Sequence, residues 1–283
     1  MGVTDSGDQM PRQVKFVREL KEKLSPDDRL RGLWLTGSMG RGDDDPFSDV
    51  DCLLVVDPPA LEDILQSWPS IARGVRDCIY LKQLGRAPVF NHILAGWLRW
   101  DVTIMEPKDA HGLVRGEARE IFNKDAIQLV EPAPSAIDRD AVLSLSDEFI
   151  RCLGLLPVLV GRGDPVAAAS GAGLIRQHLI TLMRLTTQCG GQSGALRLKG
   201  ILSGEDYTGL AAIPPVVADL DAAIAVHQAA AEIFLARARA LLGTEYPHDL
   251  ESACLIHLAA TLGARWAVAP GAHGVGDQSG LVR

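Results

Sequence analysis

Two aspartates on one apolar segment are the residues of this sequence best placed to do chemistry. Asp49 and Asp51 alternate with Val50 and Cys52 at the start of DVDCLLVV, which has the composition of a β-strand. Side chains alternate between the faces of a strand, so the two carboxylates point the same way, roughly 6 to 7 Å apart. At 4 Å and an effective dielectric of about 20, two such charges repel by roughly 4 kcal/mol. A divalent cation would neutralise them, and Mg²⁺ prefers hard oxygen ligands of this kind.

The loop before this segment supplies groups that a phosphate needs. Residues 35–48 read LTGSMGRGDDDPFS. A glycine such as Gly37 lets backbone N–H groups approach an anion, Ser38 offers a hydroxyl, and Arg41 offers a guanidinium suited to phosphate. A helix starting at Ser38 would also face the anion with its N-terminus. No Lys-Ser/Thr follows the glycines, so the loop is not a Walker A motif. We therefore predict that Gly37, Ser38 and Arg41 bind phosphate beside the two acids.

The order of these residues, Gly-Ser, ten intervening positions and then Asp-x-Asp, resembles the signature of the nucleotidyltransferase superfamily typified by DNA polymerase beta. Members of that superfamily carry a third carboxylate on a neighbouring strand, flanked by apolar residues. RWDVTIM at 99–105 matches this feature, so the resemblance implies that Asp101 is the third acid. The match covers residues 33–105. A degenerate, inactive domain is the alternative that the motif leaves open.

Within the superfamily, length and layout are most similar to the antibiotic nucleotidyltransferases, which act on aminoglycosides or lincosamides. The resemblance implies a Mg²⁺-dependent enzyme that transfers a nucleoside monophosphate to a hydroxyl of a small molecule and releases pyrophosphate. AMP from ATP is the expected donor group, with other NTPs as alternatives. Asp49 and Asp51 would hold Mg²⁺, and Asp101 would either complete the metal site or act as general base. Antibiotic resistance is the biological outcome that this branch implies.

Two other functions stay open from the sequence. The chain could add AMP to a protein partner, as minimal nucleotidyltransferases of toxin–antitoxin pairs do. It could instead be a nucleotide-binding sensor that no longer turns over. Pyrophosphate release would separate an enzyme from a sensor, and the identity of the labelled product would separate a protein target from a small molecule.

The composition favours a globular enzyme with a small-molecule partner. Of the 283 residues, 47% are hydrophobic, and the formal net charge is −8. Nucleic-acid binding relies on basic surface, so this charge argues against a nucleic-acid partner and suits a polar or cationic acceptor. The five cysteines form no CxxC pair, which predicts neither a zinc site nor a disulfide framework. Because no apolar run approaches about 18 residues, we expect a soluble, cytoplasmic protein without a membrane partner. The oligomeric state stays open, a homodimer included.

The hydrophobic patterns predict an α+β protein with two domains and a tail. We expect a nucleotidyltransferase catalytic domain at 1–134, built from a mixed β-sheet flanked by helices, and an all-α helical bundle at 135–269. Residues 270–283 have little to bury and are predicted to be disordered. In the first half, alternation and periodicity predict helices at 11–24, 60–73 and 108–116, and strands at 32–37, 50–56, 78–83, 90–94 and 98–105.

The second half has helical periodicity. It predicts helices at 139–156, from Ile175 to Cys189, at 217–241 and at 249–268. His227 lies on the apolar stripe of its helix, which favours core packing over metal ligation. GALRLKGIL at 194–202 places basic residues in an apolar stretch. In antibiotic-type relatives a basic side chain of the helical domain reaches the triphosphate, so the resemblance implies a nucleotide-binding role for Lys199. A plain surface lysine is the alternative.

Overall fold

The computed structural model describes residues 10–132, 136–187 and 197–267. These residues fall into two compact units, an N-terminal unit of residues 10–132 and a C-terminal unit made of the two later ranges. The division lies beside Pro132, in the proline-containing segment of the sequence. The predicted domain bounds, 1–134 and 135–269, stay predictions. None of the described helices is long and apolar enough to span a membrane.

Six strands form one mixed sheet in the N-terminal unit, in the order β3-β4-β5-β2-β1-β6. The strands are β1 (Leu30–Leu35), β2 (Val50–Val56), β3 (Cys78–Gln83), β4 (Val89–Leu94), β5 (Leu98–Met105) and β6 (Arg119–Asn123). Neighbours pair antiparallel except β2 and β5, which run parallel at the centre of the sheet. Parallel neighbours need a crossover connection, and residues 57–97 supply it. The predicted α+β class with a mixed sheet is confirmed.

Helices α1 (Arg12–Leu24) and α3 (Leu61–Val75) share one hydrophobic core with one face of the sheet. Val50, Cys52, Leu54 and Val56 of β2 are buried in this core, as the alternation predicts. The largest side chains that the helices add to it are Phe16, Leu20, Ile64 and Trp68. Fully burying a large apolar side chain stabilises the fold by roughly 1.5 to 3 kcal/mol. The intervening residues of β2, including Asp51, consequently lie on the opposite face.

A buried histidine joins α3 to the sheet. Nε1 of Trp68 donates a hydrogen bond to Nε2 of His92 on β4, at 3.1 Å. Nδ1 of His92 lies 2.8 Å from the carbonyl oxygen of Trp100 on β5. A neutral imidazole that is protonated at Nδ1 satisfies both contacts. Burial lowers the pKa of His92 to about 4, so the ring stays neutral at physiological pH. This link holds β4 and β5 in register directly behind Asp101.

The segment from 109 to 118 differs from its prediction. Instead of a helix at 108–116, it forms one 3₁₀ turn at Asp109–Gly112 and then runs extended, where Val114 pairs with Val130. Ala110 and Leu113 are buried in a second core on the acid face of the sheet. Gly116 has φ +85°, which a continuing helix does not accept. The prediction was wrong because burial against the sheet outweighs the local helical spacing.

The described part of the C-terminal unit is helical, as predicted. Its helices are α4 (Arg139–Leu153), α5 (Leu156–Gly161), α6 (Pro165–Leu185), α7 (Leu198–Ile201), α8 (Gly204–Ala212), α9 (Leu220–Leu242) and α10 (His248–Leu262). The core includes a stacked pair, Phe149 and Phe234, with ring centroids 3.7 Å apart. His227 is buried with Nδ1 2.7 Å from the carbonyl oxygen of Ala223, as expected for a core histidine.

Aspartate caps explain where these helices begin. The carboxylates of Asp138, Asp164 and Asp219 accept hydrogen bonds from the first-turn N–H groups of α4, α6 and α9. Each such cap contributes about 1 kcal/mol. Helix α4 ends at Leu153, earlier than predicted, and α8 was not predicted. Cys189 and the predicted tail at 270–283 lie outside the described residues.

Candidate active site

The parallel pairing of β2 and β5 brings two of the predicted acids side by side. Asp51 and Asp101 are direct cross-strand partners, following the pair Val50 and Trp100. All residues on this face of β5 are half-buried, whereas the alternating residues are buried in the core. Asp49 stands two positions before Asp51 and therefore faces the same side. The fold thus assembles the three predicted carboxylates on one face of two central strands.

Burial and mutual repulsion mark this cluster. Burial, followed by the charges of Asp49 and Asp101, raises the pKa of Asp51 to about 6. Burial is also the largest cause of the raised pKa of Asp101, and a hydrogen bond from the Asn91 side chain opposes it. Two half-buried neighbouring carboxylates disfavour each other's charged form because solvent screens them only in part. The cluster therefore holds negative charge at a cost that a bound cation would relieve.

Arg99 and Asn91 are members of the site that the sequence reasoning missed. A guanidinium nitrogen of Arg99 lies 3.0 Å from Oδ2 of Asp49. Asn91 on β4 is the direct cross-strand partner of Asp101. Strand alternation could have identified Arg99, because Arg99 precedes Asp101 by two residues and therefore lies on the same face of the strand. Asn91 could be assigned only once the pairing of β4 with β5 was known.

The predicted phosphate loop packs directly against Asp51. Gly37 opens the five-residue helix α2 (Gly37–Arg41) with φ +59°, and a β-carbon at this position would overlap Oδ2 of Asp51. The N–H of Thr36 donates to the main-chain oxygen of Asp51 at 2.9 Å. Ser38 is buried, and its carbonyl oxygen accepts from the N–H of Gly42. The helix begins at Gly37 rather than Ser38, and no side-chain hydrogen bond caps it.

Arg41 is held close to the acids. Its side chain is 16% exposed and pairs with Asp43 at 3.4 Å. It also lowers the pKa of Asp51, against the raising effects of burial and the other acids. A mostly buried guanidinium in a weak ion pair has donors that can turn to a phosphate. The predicted position of Arg41 near the acids is therefore compatible with phosphate binding.

Helix α1 fixes the chain that leads into Asp49. Nε2 of Gln13, a buried residue, donates to the carbonyl oxygens of Pro46 and Ser48 at 3.0 and 3.1 Å. Within the loop, the N–H of Phe47 donates to Oδ1 of Asp45 at 2.9 Å, which closes a local turn. These bonds place Asp49 at the entrance of β2 without using its own side chain.

A cavity of about 480 Å³ lies on the acid face of the N-terminal unit. Its wall includes Gly37, Arg41, Asp51 and Asp101. Another part of the wall consists of Leu113 and Val114, from the segment mispredicted as a helix, and of Glu117 and Ala118, which follow it. Cavities of roughly 300 to 1,000 Å³ are typical of small-molecule sites. The cavity thus collects carboxylates, a guanidinium and a glycine loop in a volume suited to a small ligand.

Lys199 belongs to the other unit. It is exposed on the single-turn helix α7 and lines a second cavity, of about 320 Å³, together with Arg176, Arg197 and Tyr207. The surroundings of Lys199 are therefore basic. Its predicted contact with a triphosphate stays a prediction.

The donor chemistry of the acids suits Mg²⁺. Among the described residues, no three His, Cys, Asp or Glu side chains come together closely enough to form a metal-binding group. Asp51 and Asp101 nevertheless present oxygen ligands side by side, and Asp49 is engaged by Arg99. Carboxylate oxygens are the ligands that Mg²⁺ takes together with substrate phosphates. The residues fit the ion, provided that Asp49 is released from its ion pair.

Comparison with known proteins identifies the N-terminal unit. Residues 14–110 match the family model of the nucleotidyltransferase domain. This match contains β2 and β5 with all three acids. It confirms the predicted resemblance to nucleotidyltransferases and the transferase class of enzyme. No curated protein in the comparison matches the chain.

Several solved structures are similar at low sequence identity. An aminoglycoside 6-adenyltransferase from Bacillus subtilis is 14% identical, with a TM-score of 0.42, over 88% of this chain and 97% of the other. A nucleotidyltransferase-like protein from Exiguobacterium sibiricum is 14% identical, with a TM-score of 0.36, over 89% and 88%. Spectinomycin adenyltransferase AAD(9) from Enterococcus faecialis, with ATP and spectinomycin, is 15% identical, with a TM-score of 0.31, over 87% and 96%. These scores are too low to carry an argument about substrate.

Proposed function

We propose, with the nucleotidyltransferase domain of residues 14–110 as the premise, that the protein transfers a nucleoside monophosphate from an NTP to a hydroxyl of a small molecule. ATP is the donor we expect, and pyrophosphate is the second product. The observation that carries the proposal is the in-register pair of Asp51 and Asp101 in a cavity that Gly37 and Arg41 also line. Carboxylates and a phosphate-binding loop face one space, as nucleotidyl transfer requires.

The three aspartates receive the metal-binding roles. Asp49, Asp51 and Asp101 would hold Mg²⁺, which when bound supplies charge neutralisation and polarises the reacting phosphate. Asp101 has a second assigned task, which is to accept the proton of the attacking hydroxyl. Its raised pKa supports that task, because a base works best when its pKa approaches the operating pH. A general base contributes its own pKa to the pH dependence of turnover, whereas a residue that serves only as a metal ligand changes the Mg²⁺ requirement instead. The pH dependence of turnover therefore distinguishes the two roles of Asp101.

The loop and one basic residue receive the phosphate-binding roles. Gly37 leaves room for the Asp51 carboxylate itself, so that this carboxylate can lie at the cavity where a phosphate-bound cation would approach. Arg41 would exchange its ion pair with Asp43 for a phosphate oxygen. Ser38 is assigned to the same phosphates through its backbone and hydroxyl. Lys199 is assigned to the triphosphate on the strength of the resemblance to antibiotic-type enzymes.

The acceptor is proposed to be polar or cationic. A formal net charge of −8 and a cluster of three acids favour a cationic molecule over an anionic one. The resemblance to the antibiotic branch points to an aminoglycoside or a lincosamide. An acceptor of this kind would place its hydroxyl against Asp101 in the cavity of the N-terminal unit.

An acceptor screen tests the proposal. Purified protein is incubated with ATP labelled in the α-phosphate, Mg²⁺ and a panel of aminoglycosides and lincosamides, and pyrophosphate and labelled products are measured. The Asp51→Asn variant serves as the inactive control. Expression in a sensitive bacterium then tests for raised inhibitory concentrations. Label on a protein rather than on a small molecule would replace the proposal by protein adenylylation, and absence of any labelled acceptor would overturn it.

A further inference from the structure

Four residues form a two-by-two arrangement on the acid face of the central strands. The parallel register pairs Asp51 with Asp101, and just before the first registered pair the side chains of Asp49 and Arg99 form an ion pair at 3.0 Å. One pair therefore carries like charges and the other carries opposite charges. Arg99 also lowers the pKa of both Asp51 and Asp101. Arg99 is the one basic residue of strands β2 and β5.

We propose that Arg99 competes with the divalent cation for Asp49, so that metal binding and the Arg99–Asp49 ion pair exclude each other. This inference rests on the proposed function, because it takes Asp49 as a metal ligand. Oδ2 of Asp49 already accepts the guanidinium of Arg99, and a cation at the same carboxylate would meet both a blocked oxygen and a like charge. A guanidinium keeps its charge at any physiological pH, so Arg99 presents its positive charge to Asp49 throughout that range.

The exposure of the pair makes the exchange easy. The side chains of Arg99 and Asp49 are 39% and 30% exposed, so solvent screens their attraction. Ion pairs of this type contribute little to stability. The Arg99–Asp49 pair can therefore neutralise the acids of the resting protein and still give way to a divalent ion that arrives with a nucleotide.

Release gives Arg99 a second partner. Its planar, bidentate guanidinium suits phosphate oxygens better than a lysine ammonium does. Arg99 shares the face of β5 with Asp101, where the proposed nucleotide phosphates would lie. We therefore expect removal of Arg99 to tighten the binding of free metal and to weaken the binding of the metal–nucleotide complex.

Direct measurement of Mn²⁺ binding tests the competition. The full-length protein, Arg99→Gln and Arg99→Lys are titrated with Mn²⁺ alone, and free Mn²⁺ is followed by electron paramagnetic resonance. Arg18→Gln is the matched control, because Arg18 is an exposed arginine of α1, on the opposite face of the sheet. Circular dichroism confirms that each variant is folded. The KM for Mg²⁺–ATP is then compared among the same proteins.

The expected result is Mn²⁺ affinity about five- to tenfold higher in Arg99→Gln, unchanged in Arg18→Gln, and close to wild type in Arg99→Lys. In the same Arg99→Gln protein, KM for Mg²⁺–ATP should rise by about tenfold. A merely structural role for Arg99 would not tighten Mn²⁺ binding while weakening the binding of Mg²⁺–ATP. Equal or weaker Mn²⁺ binding in Arg99→Gln overturns the inference and leaves the proposed function standing. If no variant binds Mn²⁺ and none transfers a nucleotide, both fail together.

Discussion

Gly37 and Asp51 occupy complementary space. A β-carbon on Gly37 would overlap Oδ2 of Asp51, and Gly37 also has a positive φ of 59°. The loop and the acid strand are therefore fitted to each other, because the absence of a side chain at Gly37 is what lets the carboxylate reach the cavity.

Gly37→Ala should reduce turnover by at least about a hundredfold, because its methyl group would push Asp51 out of place. The strained backbone should also lower stability by about 1 to 3 kcal/mol. Gly42→Ala is the control, since Gly42 also has positive φ, at 77°, and nothing lies within 4 Å of its added β-carbon. That variant should lose comparable stability but keep most of its turnover. Initial rates measure the turnover of both variants, and chemical unfolding measures their stability. Equal rates in the two would separate Gly37 from the chemistry.

The positions of Asp49 and Asp51 on one face could be predicted from the sequence, because strand alternation is local and has a period of two residues. The partners across the sheet could not be assigned from the residues alone, and only the family resemblance implied that Asp101 lies on a neighbouring strand. The pairs Asp51–Asp101 and Asn91–Asp101 depend on strand order and register, which hairpin turns and distant packing determine. The parallel contact of β2 and β5 joins segments separated by a long crossover.

The mispredicted segment at 108–116 shows the same limit. Ala110 and Leu113 are spaced as on one helical face, yet they are buried against Trp34 and Val55 of the sheet. Nothing in the local sequence states that a sheet face is available there. This segment lines the cavity of the proposed site through Leu113 and Val114.

Asp51→Asn and Asp49→Asn should both lower turnover by at least about 10³-fold, because each removes a proposed metal ligand.

The effects of Asp51→Asn and Asp49→Asn on stability should differ. Asp51→Asn removes a half-buried charge that repels Asp101, so its unfolding free energy without metal should equal or exceed that of the wild type. Asp49→Asn breaks the pair with Arg99 and should be neutral or slightly destabilising, by less than about 1 kcal/mol. Urea unfolding in a chelator measures both. Near wild-type turnover in either variant would remove that residue from the metal site.

The contribution of Asp51 to stability without metal should fall as the pH rises from about 4 to about 7, opposite in sign to the contribution of His92, whose pKa is lowered by burial. The pKa of Asp51 is about 6 in the folded protein, whereas the ordinary value for an aspartate is 3.8. The folded state therefore binds more protons than the unfolded state in this interval. The loss should be on the order of 2 kcal/mol and should be complete above about pH 7. Asp51→Asn should lack this component. Unfolding free energies of both proteins, measured between these pH values in a chelator, give the difference. Parallel pH curves for the two proteins would contradict the raised pKa.

Mg²⁺–ATP should raise the Tm of the protein, because a ligand that binds only the folded state stabilises it by about 2.7 kcal/mol at a hundred times its Kd. Arg41→Ala and Ser38→Ala should each reduce this shift. ATP with a chelator should produce little shift, since the acids would repel an uncompensated triphosphate. Differential scanning fluorimetry of the three proteins measures the effect. Equal shifts with and without Mg²⁺ would argue against a metal between carboxylates and phosphates.

Asn91→Ala should reveal the role of Asp101. The hydrogen bond from Asn91 lowers the pKa of Asp101, so its removal should raise that pKa further. If Asp101 accepts the proton of the attacking hydroxyl, the acidic limb of the kcat–pH profile should move to higher pH, because the base must be deprotonated to act. If Asp101 serves only as a metal ligand, the acidic limb at saturating Mg²⁺ should stay in place and the Mg²⁺ requirement should rise instead.

Asn123→Ala is a matched control for Asn91→Ala, because Asn123 lies on β6 and its side chain forms hydrogen bonds with the main chain of Ile127. A shift of the limb in both variants would trace the effect to the fold rather than to Asp101.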